Sequence, residues 1–215
     1  MAISAGRISL AHDLLATTAR LARARGLVGG LAHPAGGAGR KRSAALGREL
    51  LGRQFRTREK GGAAVGKTKR GKGTKWMVLV DGEGVPLGAL LASATPHEIG
   101  FAEATLAQVK VPRLRGRPRT KPRRIIADKG YDSDPLRRRL KQRGIELIAP
   151  YRWYKRKKLY YDGRKLRRYK RRWKVERTNA WFGNFRRLAV RYDRLLSVYQ
   201  GFFHIACLLI TVRHL

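Results

Sequence analysis

The sequence predicts an α/β fold, a mixed sheet flanked by helices, and three observations carry that reading. An apolar run, a turn and a second apolar run make a β-hairpin. A strand, helix, strand succession then implies parallel neighbours joined by a right-handed crossover. The last third of the chain is helical in pattern. The hairpin comprises WMVLV (Trp76 to Val80), the turn DGEG (Asp81 to Gly84) and the run Val85 to Ser93, with Gly84 supplying a positive φ. A helix is expected from Thr95 or Pro96, with Ile99, Phe101 or Ala102, Leu106 and Val109 on one face. Lys110 to Arg124 is a basic loop, because Pro112, Pro118 and Pro122 argue against regular structure. Arg124 to Asp128 is a short central strand, Asp134-Pro135 opens a helix with proline at its first position, and Gly144 to Pro150 is another strand. From Leu166 to Leu188 only Gly183 interrupts a helix, and Ser197 to His214 reads as an apolar helix packed on the sheet.

The front of the chain differs. Ala or Gly fills 20 of the first 47 positions, and Leu10, Leu14, Leu15 and Leu21 suggest one short helix before Gly26, followed by loop. Gly61 to Lys75 reads as a flexible, solvated basic loop. Its Gly-Lys-Thr at Gly66 to Thr68 lacks the apolar strand that leads into a nucleotide-binding P-loop.

Charge narrows the partner. The 215 residues carry 50 Lys+Arg against 14 Asp+Glu, a formal net charge of +36, while 43% are hydrophobic. A folded body this basic calls for a polyanion, so nucleic acid is favoured over small neutral substrates. Cys207 alone excludes an intramolecular disulfide or a Cys-rich zinc site. The longest apolar run, Gly201 to Val212, is too short to span a bilayer, so no membrane is expected, and the setting is read as cytoplasmic, with the nucleoid. The five histidines show no metal-ligand spacing.

Two carboxylates stand out. Asp128 ends an apolar strand, where open α/β folds place ligands; the bland alternative is a capping aspartate, but Asp132, Ser133 and Asp134 lie closer to the next helix. Residues 151–177 hold 14 Lys+Arg and only two acids, Asp162 and Glu176. A lone glutamate among arginines is commonly a weak ion-pair partner. Tyr169, Arg172 and Glu176, however, are three and then four apart, so they share one helix face. Carboxylates within a basic surface suit metal-dependent strand transfer: two divalent ions about 4 Å apart activate the attacking hydroxyl and stabilise the leaving oxygen, and the surrounding cations neutralise phosphates. Tyr169, Arg172, Lys174 and Arg177 are the expected DNA contacts. The aromatics from Tyr151 to Trp181 can stack on unpaired bases, although Trp173, Trp181, Phe182 and Phe185 recur near helical spacing and are expected to face the core.

The blocks GKTKRGKGTKWMVLVDGEGVPLG, IIADKGYDSDPLRRRLKQRGIELIAP and RRYKRRWKVERTNAWFGNFRRL resemble, in that order, the catalytic part of bacterial insertion-sequence DDE transposases of the IS-four and IS-five groups. The resemblance covers Gly61 to Leu215 and implies a catalytic domain over residues 61–215 with a ribonuclease-H-like fold. It further implies an Asp, Asp, Glu set holding two Mg²⁺ or Mn²⁺ ions, with insertion-sequence ends and target DNA as partners, and it admits a homodimer. Asp128 matches the second Asp and Glu176 the Glu. Tyr169, Arg172 and Glu176 match the first three positions of the family's Y-(2)-R-(3)-E-(6)-K signature, whose lysine is Gly183 here.

The first Asp is missing. Related sequences carry LDGSFVRAKKGG where this chain has LGRQFRTREKGG, which puts Gly52 at its position. A one-base shift of reading frame converts one string into the other. Residues 1–60 are therefore expected to be a disordered or frame-shifted segment, leaving the first strand disrupted, a sheet edge exposed and cleavage impaired. Asp81 could substitute for the lost ligand, but its turn accounts for it. The alternative is a non-catalytic basic protein that binds nucleic acid.

Overall fold

The computed structural model describes residues 49–58, 62–69, 71–113, 115–152 and 164–214. The short helix expected before Gly26 and the aromatics Trp153, Tyr154, Tyr160 and Tyr161 lie outside them.

Six strands form one mixed sheet: β1 (Glu49–Thr57), β2 (Gly66–Thr68), β3 (Gly71–Val80), β4 (Pro86–Ser93), β5 (Arg124–Ile126) and β6 (Glu146–Ile148). β1 pairs antiparallel with β3, from Leu50↔Val80 to Thr57↔Gly73, and parallel with β5, through Leu50↔Ile126. β6 continues the parallel side, while β4 and the short β2 share the other edge of β3, so the order is β4-β3-β1-β5-β6. This is the ribonuclease-H-like arrangement, three antiparallel strands followed by two parallel ones.

The run WMVLV is apolar throughout because the sheet is covered on both faces. Met77 and Leu79 point to one core with Leu51, Ile125 and Ala127, under α1 (Ala102–Ala107) and α2 (Asp134–Gln142). Trp76, Val78 and Val80 point to the other with Leu50, Ile126 and Ile148, under α3 (Trp173–Gly183), α4 (Arg186–Ala189) and α5 (Leu196–Arg213). Ser133 caps α2 and proline stands in its first turn, as expected. The Thr95 helix is shorter than expected, a 3₁₀ turn (Glu98–Phe101) running into α1. The Leu166–Leu188 helix divides into a 3₁₀ segment (Arg164–Arg172), α3 and α4.

Two expectations fail. The first strand is not disrupted: β1 occupies the middle of the sheet, within the segment expected to lack structure. Glu49 to Gly52 occupy the buried centre; from exposed Arg53 onward the strand pairs through its backbone, which is indifferent to side-chain polarity. Nor is Gly61–Lys75 a solvated loop, since β2 and the start of β3 run through it. Its glycines serve close approach: a Cβ on Gly73 would stand 2.2 Å from the Arg56 carbonyl oxygen. The apolar C-terminal helix expected over Ser197 to His214 is found as α5, shifted by one residue. α5 spans 18 residues and, by length and composition alone, could cross a membrane, yet one of its faces packs on the sheet.

Candidate active site

Asp128 follows β5 directly. The ladder extends one residue past the strand, with the Ala127 amide donating to the Ile148 carbonyl over 3.0 Å, so Asp128 emerges at the carboxyl edge of the parallel strands. Its carboxylate accepts a hydrogen bond from the Gly130 amide at 2.7 Å and caps a 3₁₀ turn (Lys129–Tyr131). The capping role weighed above is therefore real, but for a different turn from the one α2 needs, which Ser133 caps. β1 pairs in parallel with β5 through Glu49↔Ile125 and Leu50↔Ile126, so Gly52 and Asp128 each stand two residues beyond the last paired position.

Glu176 stands in the first turn of α3, whose inward side chains are Val175, Thr178, Asn179 and Phe182. The orientation of the helix follows from one flank. Lys174 Nζ donates to the Gly82 carbonyl and lies 3.2 Å from Glu83 Oε2, Arg177 donates to the Glu83 carbonyl at 2.7 Å, and the Thr178 hydroxyl donates to the Gly84 carbonyl at 2.6 Å. All three grip the β3–β4 turn. At roughly 100° per residue, Glu176 falls on the opposite flank, toward β5; the preceding 3₁₀ segment touches β5 and β6 on that side. Glu176 is exposed and ion-paired with Arg172, whose guanidinium lies 5.7 Å from the centre of the Tyr169 ring. The expected shared face of Tyr169, Arg172 and Glu176 is thus a single pair with a ring beneath it.

Gly52 packs against α3. A Cβ there would meet Val175 Cγ2 at 2.5 Å and Asn179 Nδ2 at 3.2 Å, the residues one before and three after Glu176. Gly52 thus packs against the helix that bears Glu176, on the strand that pairs with β5, and contributes no oxygen. Among the described residues no group of three or more His, Cys, Asp or Glu is placed to hold a metal ion. The donors present do not complete a two-ion site. Sequence reasoning also missed Asn179, whose buried Oδ1 has no hydrogen-bond partner among the described residues.

The basic residues divide by position. Lys174 and Arg177, expected at DNA, are committed to the β3–β4 turn, and Arg177 lies between the Trp173 and Trp181 rings, 4.9 and 4.7 Å from their centres. Trp173 is consequently half exposed instead of buried, whereas Phe182 is fully buried and Trp181 and Phe185 flank the core. Asp81 accepts from the Glu83 and Val85 amides and closes its turn. Exposed cations flank Asp128 in sequence: Lys129 directly after it, and Arg113, Arg115, Arg117, Arg119, Lys121 and Arg123 on the loop leading into β5.

Comparison with known proteins gives the family. A family model described as "Transposase DDE domain" matches residues 52–211, beginning at Gly52 itself. The chain is 34% identical over 210 residues to a putative transposase for insertion sequence element IS402 from Burkholderia cepacia, covering 94% of this chain and 93% of the relative. That match runs back into the residues before Glu49. In fold, it is similar to piggyBac transposase, solved in a synaptic complex with hairpin DNA, with a TM-score of 0.51 at 12% identity over 78% of this chain and 47% of that one. Members of the matched family generally work with divalent metal ions. The chain belongs to the DDE transposase family.

Proposed function

We propose that this chain is an insertion-sequence transposase that engages DNA through its basic surface, with a cleavage centre formed around Asp128 and Glu176 that is incomplete at Gly52. The observation that supports this reading is that Gly52 packs against Val175 and Asn179 of the helix bearing Glu176, on a strand paired with the one that Asp128 follows. Mg²⁺ or Mn²⁺ is the class of ion such a set would take. The exposed arginines of the Lys110–Arg124 loop, together with Tyr169 and Arg172, would meet phosphates near the carboxylates, while Lys174 and Arg177 act by holding α3 against the hairpin. A shifted reading frame upstream of Lys60 accounts for the glycine; since the IS402 relative aligns across the same region, such a shift would be common to both. DNA sequencing decides that point: with no one-base shift restoring Asp at position 52, the frame explanation fails.

The activity test is nicking of supercoiled DNA in Mn²⁺. The unaltered chain should bind DNA with steep salt dependence and nick no more than a metal-free control. A Gly52→Asp chain, with Val175→Ala to make room, should nick, and should lose that activity on Asp128→Ala or Glu176→Ala. Mn²⁺-dependent nicking by the unaltered chain that Asp128→Ala abolishes would contradict an incomplete centre. Salt-sensitive binding with no nicking by any variant would favour a purely binding role.

A further inference from the structure

The loop that leads into β5 is fixed at its base and bare at its tip. Val111, buried in the first core, and Pro122, also buried, anchor its two ends. Val111 and Arg119 exchange two backbone hydrogen bonds, at 2.9 and 2.8 Å, in an antiparallel bridge. Beyond that bridge the chain bends through Arg115, Gly116 and Arg117. Gly116 has φ +84° and open space where a Cβ would stand. Every residue from Arg115 to Lys121 is exposed, so the loop is a short arm held out from the core.

From Arg113 to Arg123 every second residue is Lys or Arg, and no Asp or Glu lies between Glu103 and Asp128. Arg115, Arg117 and Arg119 make no ion pair among the described residues. Such an arm is drawn to phosphates anywhere on a duplex, and that attraction carries no sequence preference. The order Arg115-Gly116-Arg117-Pro118 at the tip is more selective. A single bend of backbone suits the minor groove, about 6 Å wide, whereas the major groove, about 12 Å wide, takes a helix or a two-stranded ribbon. The minor groove of A·T runs is narrow and concentrates negative potential, which attracts inserted arginine. The tip cations are arginine and the lysines, Lys110 and Lys121, stand nearer the base; guanidinium is the more weakly hydrated ion and is the easier to strip of water in a narrow groove. Glycine between the two arginines lets the backbone approach the groove floor, and Pro118 holds the bend with no N–H to satisfy. A G·C pair places the guanine N2 amino group on that floor, where it obstructs the approach.

We propose that Arg115, Gly116 and Arg117 enter the minor groove of A·T-rich DNA. This rests on the reading that the chain engages DNA, and adds to it a sequence preference that arises at the arm and not at the carboxylates.

The test is binding of the full chain, freed of nucleic acid, to labelled duplexes of equal length whose centres are A·T, G·C or inosine·cytosine, read by fluorescence anisotropy at fixed salt. Inosine lacks the N2 amino group but keeps the major-groove edge of guanine, so the third duplex isolates the minor groove. The A·T and inosine·cytosine duplexes should bind about tenfold more tightly than the G·C duplex. Arg115→Lys with Arg117→Lys, which keeps every charge, should level the three affinities while leaving binding of the G·C duplex in place. Gly116→Asn, which tolerates a positive φ but fills the open space, should level them too. All three positions are exposed, so the circular dichroism spectrum should not change. Equal affinity of the unaltered chain for the three duplexes, or a preference that survives the two lysines, would overturn the proposal and leave DNA binding intact. So would discrimination of A·T from both other duplexes, which would place the contact in the major groove. No binding to any duplex would overturn the proposal together with the reading beneath it.

Discussion

A Cβ on Gly52 would lie 2.5 Å from Val175 Cγ2, so β1 and α3 approach more closely than any side chain at position 52 permits. Gly52→Asp alone should therefore destabilise the chain by about 1–3 kcal/mol through overpacking. Val175→Ala alone, at a buried position, should cost about 1–3 kcal/mol. Combined, the two should cost less than their sum, because each relieves the other. Urea denaturation of the four chains reads the coupling; strict additivity would mean that the strand and helix do not constrain one another at this point.

The hairpin turn holds the other flank of α3. Gly84 has φ +90°, and a Cβ on it would stand 2.9 Å from the Thr178 hydroxyl oxygen. Gly84→Ala should lose about 1–3 kcal/mol from backbone strain. Thr178→Val, which removes the hydroxyl that donates to the Gly84 carbonyl, should lose about 1–2 kcal/mol. If both substitutions are silent in thermal unfolding, the turn does not position the helix that bears Glu176.

Glu98 gives the fold an acid limit. Burial works against its charge, but its own backbone amide and the cations of Arg53, Lys75 and His97 more than offset that, and its pKa is held below the ordinary 4.5. Arg53 Nη1 is 2.5 Å away and Lys75 Nζ 3.5 Å. With a depressed folded value, the stabilisation is complete above about pH 4.5 and is lost as pH falls through the folded pKa. Glu98→Gln should lower stability at pH 7 and flatten its decline below pH 4.5. An unaltered acid slope in the variant would remove Glu98 from the explanation.

Arg191 is a buried cation at 1% exposure, donating from Nη1 to the Thr74 hydroxyl at 2.6 Å and to the Ala63 carbonyl at 2.9 Å. Burial, followed by the nearby Arg58 charge, lowers its pKa. Arg191→Ala should cost about 3–5 kcal/mol through a cavity and lost hydrogen bonds. Lysine should rescue little of this, since a single ammonium cannot reproduce both the Nη1 donations and the separate Nε donation to the Asp193 carbonyl at 3.3 Å. Methionine should retain more stability than alanine, because it fills the volume without burying a charge. Equal losses for alanine and methionine would show that packing is not the issue.

What could be read from sequence was what both faces of the sheet demand. WMVLV and RIIAD are apolar because they are covered on two sides, and the Ser133 cap and Pro135 mark the start of α2 locally. β1 was illegible, because Arg53, Arg56 and Arg58 make it look like surface while its neighbours supply the pairing. Charge alone also did not show what Lys174 and Arg177 hold: composition says that a residue is cationic, and only the direction of α3 says that these two turn toward the hairpin. Gly52 could be singled out only by likeness to related sequences, since glycine bears no chemistry of its own; what the fold adds is its close packing against the helix that bears Glu176.

The central claim is that positions 52, 128 and 176 form one ion cradle lacking a single carboxylate. Mn²⁺ titration followed by electron paramagnetic resonance tests it most directly. The unaltered chain should bind Mn²⁺ weakly. The Gly52→Asp, Val175→Ala chain should bind at least tenfold more tightly, a gain of about 1.4 kcal/mol, and Asp128→Asn or Glu176→Gln should each erase that gain. Tighter binding that survives the loss of either partner, or no gain from the new carboxylate in a chain shown to be folded, would contradict the claim.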